Sequence, residues 1–323
     1  MKALVCRENT DSLADLRFEN IDLPSPGSGE VRVRIRAAAV NFPDLLMVQG
    51  KYQHRPELPF IVGGEFAGEV IATGAEAARF RPGDRVIGGG FSGGFAAERQ
   101  LPETALRPIP GAVDFAIAAS FTTGYLTAYV ALVRRGELQP GEWLLVHGAA
   151  GGMGLAAVDL GRLLGAKVIA TASTVEKRTF LKTYGADHVL PSMGFRDGVK
   201  DLTSGHGADV IYDPVGGDVF DESVRAIAFG GRLLVVGFAS GRIPTVAANM
   251  PLIKGFSVVG VRAGEYGRRF PEKGRENIAE IDRLLGEGKL RPHIGARLPL
   301  DRAIEAMRLL ADRKAIGKVV IES

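Results

Sequence analysis

One stretch, from Trp143 to Lys177, constrains the fold of this chain more than any other. It reads WLLVHGAAGGMGLAAVDLGRLLGAKVIATASTVEK. A short apolar run ends at His147, apolar residues then recur at helical spacing from Leu155 to Leu164, and a second apolar run covers Lys167 to Ser173. A strand, turn, helix and second strand in this order are typical of a parallel α/β sheet.

The turn inside this stretch is rich in glycine and suits a bound diphosphate. Ala149, Gly151 and Gly154 reproduce the G-x-G-x-x-G spacing with alanine in the first place. Gly151, Gly152 and Met153 then stand at the start of the helix, where backbone N–H groups and the helix dipole attract anions. A glycine fingerprint alone is equally compatible with an ordinary loop, but the strand before it and the helix and strand after it favour a dinucleotide site.

The far end of the second strand favours NADPH over NADH. An NAD site needs an acidic residue about 20 residues beyond the glycines, to accept bonds from the ribose hydroxyl. This chain has Ser173 and Thr174 there, followed by Lys177 and Arg178, although Glu176 lies beside them. A patch with hydroxyl groups and two cations suits the 2′-phosphate of NADPH better than a free ribose hydroxyl. The alternative for the two cations is a solvated helix start.

Composition indicates an ordinary soluble protein large enough for two domains. The chain has 323 residues, of which 46% are hydrophobic and 24% charged. Its 40 basic and 37 acidic residues give a net charge of +3 without blocks of one sign, so neither nucleic acid nor a membrane is expected as a partner. The single cysteine, Cys6, excludes a disulfide within the chain and fits the reducing cytoplasm. The start, MKALVCREN, lacks a signal-peptide core, and no unbroken apolar run reaches about 18 residues.

The remaining patterns predict two domains. Residues 1 to about 101 alternate as short strands, interrupted by a short helix within Asn41 to Gly50, and a helix follows over Phe115 to Val133. Strands and helices then alternate, with a helix expected over Phe220 to Phe229, and six strands are predicted from Trp143 onward. Such alternation predicts a doubly wound parallel sheet.

We expect the C-terminal segment to return to the first domain. A long amphipathic helix is predicted over Glu272 to Leu285, and a closing strand over Lys318 to Ile321. The predicted division is residues 1–123 for a β-rich catalytic domain, 124–266 for a dinucleotide-binding domain, and 267–323 for the returning segment.

Eight motifs together resemble one family. They are, in order, NFPDLLMVQGKY, PFIVGGEFAGEV, RPGDRV, FTTGYLTAY, VHGAAGGMGLAAV, GADHVL, DVIYDPVGG and GRLLVVGFAS. The chain resembles the zinc-independent quinone oxidoreductase (ζ-crystallin-like) branch of the medium-chain dehydrogenase/reductase superfamily. The resemblance implies an α/β protein, with a GroES-like β-rich catalytic domain plus a Rossmann doubly wound parallel sheet. It also implies a cleft between the domains and a homodimer formed through an edge strand near Phe256 to Val261.

The resemblance raises the question of zinc. Alcohol dehydrogenases of the superfamily hold catalytic zinc with a cysteine near the position of Asn41 and a His-Glu pair near Gly64 and Glu65. This chain has Asn41 in place of that cysteine and Gly64 in place of that histidine. A zinc site here would therefore have too few ligands. We expect no metal, and we expect Glu65 to be a hydrogen-bonded residue.

The resemblance implies hydride transfer from NADPH to a quinone or an activated enone. Two alternatives stay open: an enoyl-thioester (2-enoyl-CoA) reductase, and a non-catalytic, crystallin-like NADPH-binding protein. Asn41 and Tyr52 are the candidate catalytic residues, with Tyr52 as the one side chain considered for proton donation.

The resemblance also implies the remaining site residues. Ser192 stands where many relatives carry a tyrosine near the 2′-phosphate. The cofactor-binding set is Asn41, Thr127, Gly151, Gly152, Met153, Ser173, Lys177, Ser192, Val215, Phe238, Ser240, Val261, Arg262 and Lys318. The substrate cleft would be formed by Asn41, Phe42, Asp44, Tyr52, Phe91 and Arg262, with Asp44 either orienting its neighbours or capping the short helix.

Overall fold

The structure, a computed structural model, describes all 323 residues. Its strands are β1 (Lys2–Cys6), β2 (Arg17–Asn20), β3 (Glu30–Val40), β4 (Phe60–Ile61), β5 (Glu65–Thr73), β6 (Arg85–Gly89), β7 (Glu98–Pro102), β8 (Leu106–Pro108), β9 (Trp143–Val146), β10 (Lys167–Ala172), β11 (His188–Pro191), β12 (Ala208–Asp213), β13 (Ile227–Val235), β14 (Ser257–Gly260), β15 (Ile294–Pro299) and β16 (Lys318–Glu322).

The helices alternate with the strands mainly in the second half of the chain. They are α1 (Phe42–Val48), α2 (Phe115–Tyr129), α3 (Gly152–Leu163), α4 (Val175–Tyr184), α5 (Phe195–Leu202), α6 (Gly217–Ala226), α7 (Asn249–Lys254), α8 (Ala263–Arg269), α9 (Pro271–Gly286) and α10 (Ala303–Ala311). Helix α2 continues as a π-helix over Val130–Arg135, and short 3-10 turns cover Leu13–Asp15, Glu103–Ala105 and Leu300–Arg302.

The chain divides into two compact units. The first, the β-rich unit, comprises Met1–Thr122 and His293–Ser323, and the second, the nucleotide unit, comprises Thr123–Pro292. The returning segment therefore begins at His293, and the predicted start at residue 267 is wrong. Helix α9 belongs to the nucleotide unit, where the Arg134 side chain donates hydrogen bonds to Asn277 (2.9 Å) and Glu276 (2.9 Å) on that helix.

The β-rich unit is organised around β3. This strand lies inside a sheet of order β15-β16-β3-β5-β6-β8, and β7 also pairs with it. Val31, Val33 and Ile35 alternate along β3 and are buried, as the period of two predicts for a strand with one face on a core. A separate small sheet has the order β2-β1-β4.

The last strand completes this sheet. Strand β16 pairs antiparallel with β3, with Val319 opposite Val40 and Glu322 opposite Ala37. The prediction that the tail returns to the N-terminal domain is confirmed. The end of the chain thereby brings Lys318 to the carboxyl end of β3.

The nucleotide unit contains the predicted doubly wound sheet. Six parallel strands follow the order β11-β10-β9-β12-β13-β14, so the chain runs outward from β9 in both directions. The helix predicted to reach Phe229 ends at Ala226, and Ile227 begins β13. The apolar run from Ile227 to Phe229 is compatible with a helix or a strand. It forms a strand because Ile227 pairs with Ala208 of β12.

Helix α2 and its π-helical continuation form the most apolar helix. Residues Phe115–Arg135 are long and apolar enough to cross a bilayer, and 61% of the most apolar window is buried inside the protein. Burial of this kind is typical of a core helix.

Ile321 tests the role of the closing strand. It is 1% exposed and belongs to the core of the β-rich unit, whereas Ile243 in the nucleotide unit is 71% exposed. We expect Ile321→Ala to lower the free energy of unfolding by about 2–5 kcal/mol, because it leaves a cavity. Ile243→Ala is the matched control and should cost under about 0.5 kcal/mol. Urea denaturation followed by circular dichroism measures both, and equal effects would contradict a structural role for β16.

Candidate functional site

Three buried polar side chains meet in the β-rich unit. The Lys318 ammonium donates a hydrogen bond to Asn41 Oδ1 at 2.6 Å. The Asn41 amide nitrogen donates to Glu65 Oε2 at 3.0 Å and to the Ala39 carbonyl oxygen at 3.3 Å. Lys318 Nζ also lies 3.5 Å from Glu65 Oε2. We call Asn41, Glu65 and Lys318 the buried triad.

The fold positions each member of the buried triad at a strand end. Asn41 follows β3, Glu65 begins β5 and Lys318 begins β16, three strands that are neighbours in one sheet. Glu65 is 3% exposed, and Asn41 and Lys318 are each 8% exposed. An ion pair at this depth persists only when its hydrogen bonds are well satisfied, which the amide of Asn41 achieves by bonding both charged partners.

Asp44 fixes the backbone beside the buried triad. Its carboxylate accepts a hydrogen bond from the Asn41 N–H at 2.7 Å, across the first turn of α1. Asp44 thus caps the helix and orients Asn41, as predicted. It is only 1% exposed, so the expectation that Asp44 lines a substrate cleft is wrong.

Burial dominates the electrostatics of Asp44. Desolvation raises its pKa from 3.8 to about 7, against the opposing effects of the Asn41 N–H and of the Lys318 charge. The Glu65 carboxylate raises the pKa of Asp44 further. Two carboxyl groups and one ammonium therefore share this region, and burial favours the protonated form of Asp44.

Aromatic residues of the β-rich unit flank this region in sequence. Tyr52 is half-buried and packs against the core of the unit. Phe91 stacks on the His54 ring with a centroid distance of 3.8 Å, and Phe42, the first residue of α1, is 38% exposed. Catalytic roles for Asn41 and Tyr52 stay predictions.

The glycine turn of the nucleotide unit has the geometry that a diphosphate requires. Gly151 precedes α3 in an extended conformation, and no side chain caps the helix, so the first N–H groups are open to a ligand. A Cβ on Gly154 would lie 2.4 Å from the Gly148 carbonyl oxygen, and only glycine permits this close packing of helix on strand. Gly152 and Met153 form the first turn. The residues present therefore fit a dinucleotide.

A buried histidine lies directly before the glycine turn and links it to neighbouring elements. His147 is fully buried, its Nδ1 lies 2.9 Å from Thr171 Oγ1, and its Nε2 lies 2.8 Å from Ser223 Oγ. Ser223 donates its hydroxyl proton to the Val219 carbonyl oxygen (2.7 Å), so it accepts from Nε2–H, and Nδ1 accepts from Thr171. Burial lowers the pKa of His147 to about 3, and the ring is a neutral structural link between three elements.

The predicted 2′-phosphate residues follow neighbouring strands. Ala172 at the end of β10 pairs with Pro191 at the end of β11, so Ser173 and Ser192 begin adjacent loops at one edge of the sheet. Lys177 lies in the first turn of α4 and donates its backbone N–H to Thr174 Oγ1 at 3.2 Å. The structure thus brings Ser173, Lys177 and Ser192 to one end of the sheet, as a phosphate site requires.

Arg178 is a residue that we did not include in the predicted site. Its guanidinium donates to the carbonyl oxygens of Ala172 (3.3 Å) and Ser173 (3.1 Å), which places a permanent positive charge at the end of β10. In the sequence, the feature that could have indicated this role is that Arg178 directly follows Lys177 as a second cation after the strand. Arg178 holds the loop that carries Ser173.

Three residues predicted to bind the cofactor, Val215, Phe238 and Ser240, also lie close together. Ser240 donates its N–H to the Val215 carbonyl oxygen at 2.9 Å, and a Cβ on Gly216 would lie 2.9 Å from the ring of Phe238. Asp213, which we did not predict, holds this loop because its carboxylate accepts the N–H groups of Val215 (2.8 Å) and Gly216 (2.9 Å). Asp followed by Pro and two glycines is a turn signal that pointed to this role.

The remaining predicted residues lie in the nucleotide unit on separate elements. Thr127 is on α2 and donates its hydroxyl to the Thr123 carbonyl oxygen at 2.7 Å. Val261 follows β14, and its N–H donates to the Val235 carbonyl oxygen at 2.9 Å. Arg262 is largely exposed and lies 3.9 Å from Glu265. Their contacts with a nicotinamide stay predictions.

Asp44 makes the stability of the protein depend on pH. Its pKa of about 7 in the folded state exceeds its ordinary value of 3.8, so between these values only the folded chain holds the proton. Stability should therefore fall as the pH rises from about 4 to about 7, by up to about 1.4 kcal/mol per pH unit. Asp44→Asn keeps the hydrogen-bond acceptor and cannot ionise, so its stability relative to the wild type should increase over pH 5 to 7. Parallel pH dependences in urea denaturation would contradict this assignment.

Comparison with known proteins agrees with the geometry. Residues 27–131 match the alcohol dehydrogenase GroES-like domain, and residues 152–281 match the family described as zinc-binding dehydrogenase. A quinone oxidoreductase-like protein 2 homolog of Nematostella vectensis is 42% identical over 328 residues, covering 100% of this chain and 89% of the relative.

Solved structures of similar proteins match this chain over its full length. A mycobacterial protein in complex with NADPH has a TM-score of 0.90 at 32% identity, and the two chains are covered completely. The quinone oxidoreductase of Escherichia coli in complex with NADPH has a TM-score of 0.91 at 26% identity, again with 100% of both chains covered. The β-rich unit is thus a GroES-like domain and the nucleotide unit a Rossmann domain. The chain belongs to the medium-chain dehydrogenase/reductase superfamily, in the quinone oxidoreductase-like family.

Proposed function

We propose that this protein is an NADPH-dependent oxidoreductase that reduces quinones or activated enones by hydride transfer without zinc. The observation that carries the proposal is the buried triad. It lies at the strand ends where zinc-dependent relatives would hold their metal, and it is built from an amide, a carboxylate and an ammonium in place of thiolate and imidazole ligands.

The donor chemistry of the buried triad opposes a cation. Asn41 Oδ1 is occupied by the Lys318 ammonium, and Glu65 accepts from Asn41 while lying beside the same ammonium. A zinc ion placed there would face a fixed positive charge and would lack thiolate or imidazole ligands. No three His, Cys, Asp or Glu side chains of the chain are grouped to hold a metal ion.

A metal-free site suits conjugated acceptors. An isolated carbonyl needs a Lewis acid or a placed proton donor to take up the charge that hydride addition creates, whereas a quinone or enone delocalises that charge over its own π-system. The protein then has to align its ligands and exclude water. We assign Lys318 to the reacting end as the donor and Asn41 as the residue that orients it. Tyr52, Phe42 and Phe91 supply apolar surface. NADPH, when bound, supplies the hydride.

NADPH is supported by both the chain and its relatives. The turn at Gly151 to Gly154 fits a diphosphate, and Ser173, Lys177, Arg178 and Ser192 gather hydroxyl groups and cations at the end of two neighbouring strands. Two structural relatives contain NADPH. We assign Thr127, Val261 and Arg262 to the nicotinamide side, and Val215, Phe238 and Ser240 to the adenosine side, as the family resemblance implies.

We also propose a cytoplasmic homodimer joined through the nucleotide unit. Strand β14 lies at the edge of the parallel sheet, with unpaired backbone groups on its outer side. Phe229 (84% exposed), Leu252 (82%) and Ile253 (71%) present apolar surface in the same unit. A second copy that pairs with this edge would cover both features.

Stopped-flow absorbance at the NADPH band tests the proposed activity. The acceptors are 1,4-benzoquinone, 9,10-phenanthrenequinone and crotonyl-CoA, each mixed with enzyme and NADPH. We expect rapid oxidation with the quinones. A preference for crotonyl-CoA would assign the protein to the enoyl-thioester reductases, and NADPH binding without turnover of any acceptor would favour a non-catalytic role.

Lys177 tests the cofactor preference. We expect Lys177→Ala to weaken NADPH binding about 10-fold or more, because a charged hydrogen bond to the phosphate contributes about 1.5–3 kcal/mol. NADH binding should be unchanged. Lys182→Ala is the control, since Lys182 is exposed on the same helix, α4. Fluorescence titration of the wild type and both variants with NADPH and NADH measures the dissociation constants, and an equal loss for NADH and NADPH in Lys177→Ala would refute a 2′-phosphate contact.

A further inference from the structure

One buried carboxylate binds residues at both ends of the nucleotide unit. In chain order this unit lies between the two parts of the β-rich unit, from Thr123 to Pro292. Close to its beginning, the Tyr125 hydroxyl donates a hydrogen bond to Asp159 Oδ2 at 2.8 Å. Close to its end, the Arg291 N–H donates to the same oxygen at 2.7 Å, and Arg291 Nε donates to Asp159 Oδ1 at 3.0 Å. Asp159 therefore joins the segment where the chain enters the unit to the segment where it leaves.

Tyr184 adds a second anchor for the leaving segment. Its hydroxyl donates to the Arg291 carbonyl oxygen at 2.8 Å, and the Arg291 guanidinium lies over the Tyr184 ring, 5.5 Å from its centroid. Asp159 and Tyr125 are each 3% exposed. Burial raises the pKa of Tyr125, and the Asp159 charge raises it further, so its hydroxyl keeps the proton that it donates. We call Tyr125, Asp159, Tyr184 and Arg291 the junction cluster.

The two helices assigned to the cofactor phosphates both lead to the junction cluster. Helix α3 begins at the glycine turn, and Asp159 lies in its third turn. Helix α4 carries Lys177 in its first turn and ends at Tyr184. Each helix thus has a proposed phosphate contact at its beginning and a bond to Arg291 further along. A hydrogen-bonded helix is a rigid element that can connect events at its two ends.

Exposure is unequal within the junction cluster. The Arg291 side chain is 53% exposed, whereas that of Asp159 is 3% exposed. Release of Arg291 into solvent would leave the Asp159 carboxylate buried without its cation, which is unfavourable. The closed cluster is therefore the favoured form, and the cost of that unpaired charge separates it from an open form. A ligand shifts this balance only if it binds one of the two forms more tightly.

We propose that the junction cluster couples cofactor binding to the segments where the chain enters and leaves the nucleotide unit. The phosphates of NADPH, bound at the first turns of α3 and α4, fix the two helices that hold Arg291 and so favour the closed cluster. The closed cluster favours NADPH by the same factor, because a coupling free energy is reciprocal. This inference rests on the proposed function for its cofactor, and it does not depend on which acceptor is reduced.

Hydrogen exchange measured by mass spectrometry reads this coupling directly, because the Arg291 N–H is itself one of the bonds of the junction cluster. We expect saturating NADPH to slow exchange in the peptide 286–291 of the wild type about 5-fold or more, together with exchange in the glycine turn. Asp159→Asn should keep the protection of the turn and lose most of the protection of the leaving segment. Asp201→Asn, the matched control, removes an exposed carboxylate from α5 and should keep both.

The outcomes separate this inference from the proposed function. Equal protection of the leaving segment in the wild type and in Asp159→Asn would overturn the coupling, and so would protection of the turn alone in the wild type. Absence of protection at the turn itself would remove NADPH as the cofactor and would overturn both proposals. Protection of the leaving segment that depends on Asp159, in a protein that reduces no quinone, would support the coupling and overturn the proposed reaction.

Tyr184→Phe is a milder variant for the case in which Asp159→Asn does not fold, because it removes one hydroxyl and no charge from the junction cluster. Reciprocity predicts that it weakens NADPH binding by the same factor by which it reduces NADPH protection of the leaving segment. Fluorescence titration measures the first factor and hydrogen exchange the second. Tyr266→Phe, the matched control on α8, should change neither. A change in one factor without the other in Tyr184→Phe, or no change in either, would contradict the coupling.

Discussion

The ammonium of Lys318, held between the Asn41 amide and the Glu65 carboxylate, is the interaction on which the β-rich unit and its candidate site both depend. The three members of the buried triad lie at the ends of three strands, and Asn41 and Lys318 are 277 positions apart in the chain. The contact therefore forms only when β16 pairs with β3. Removing the ammonium would leave a buried carboxylate uncompensated, a change that typically costs about 3–5 kcal/mol.

In the proposed function, the same cluster links stability to chemistry. A buried ion pair with satisfied hydrogen bonds is rigid, and rigid donors are what a site needs to orient a conjugated acceptor. Asp44 adds a buried carboxyl group whose pKa is raised by desolvation. In the nucleotide unit, the neutral His147 and the Asp213 carboxylate perform a comparable task, because they hold the loops that are proposed to meet the cofactor.

Local patterns made much of this structure predictable. The spacing of Ala149, Gly151 and Gly154 indicated the turn, and the alternation of apolar runs indicated the six parallel strands. The end of helix α6 was not predictable, because Ile227 to Phe229 suits a helix or a strand until Ala208 pairs with Ile227. The extent of the second unit depended on contacts of Arg134 with α9 that no local pattern shows.

The candidate site was predictable as a set of residues and not as a network. Family resemblance named Asn41 and Lys318, but their hydrogen bond and the ion pair with Glu65 arise from strand register across the whole chain.

Metal analysis of the active enzyme tests the metal-free buried triad most directly. The protein is dialysed against EDTA, its zinc content is measured by mass spectrometry, and quinone reduction is assayed before and after. We predict turnover unchanged by dialysis, with far less than one zinc per chain. One tightly bound zinc per chain, with activity lost on its removal and restored by adding it back, would contradict the account.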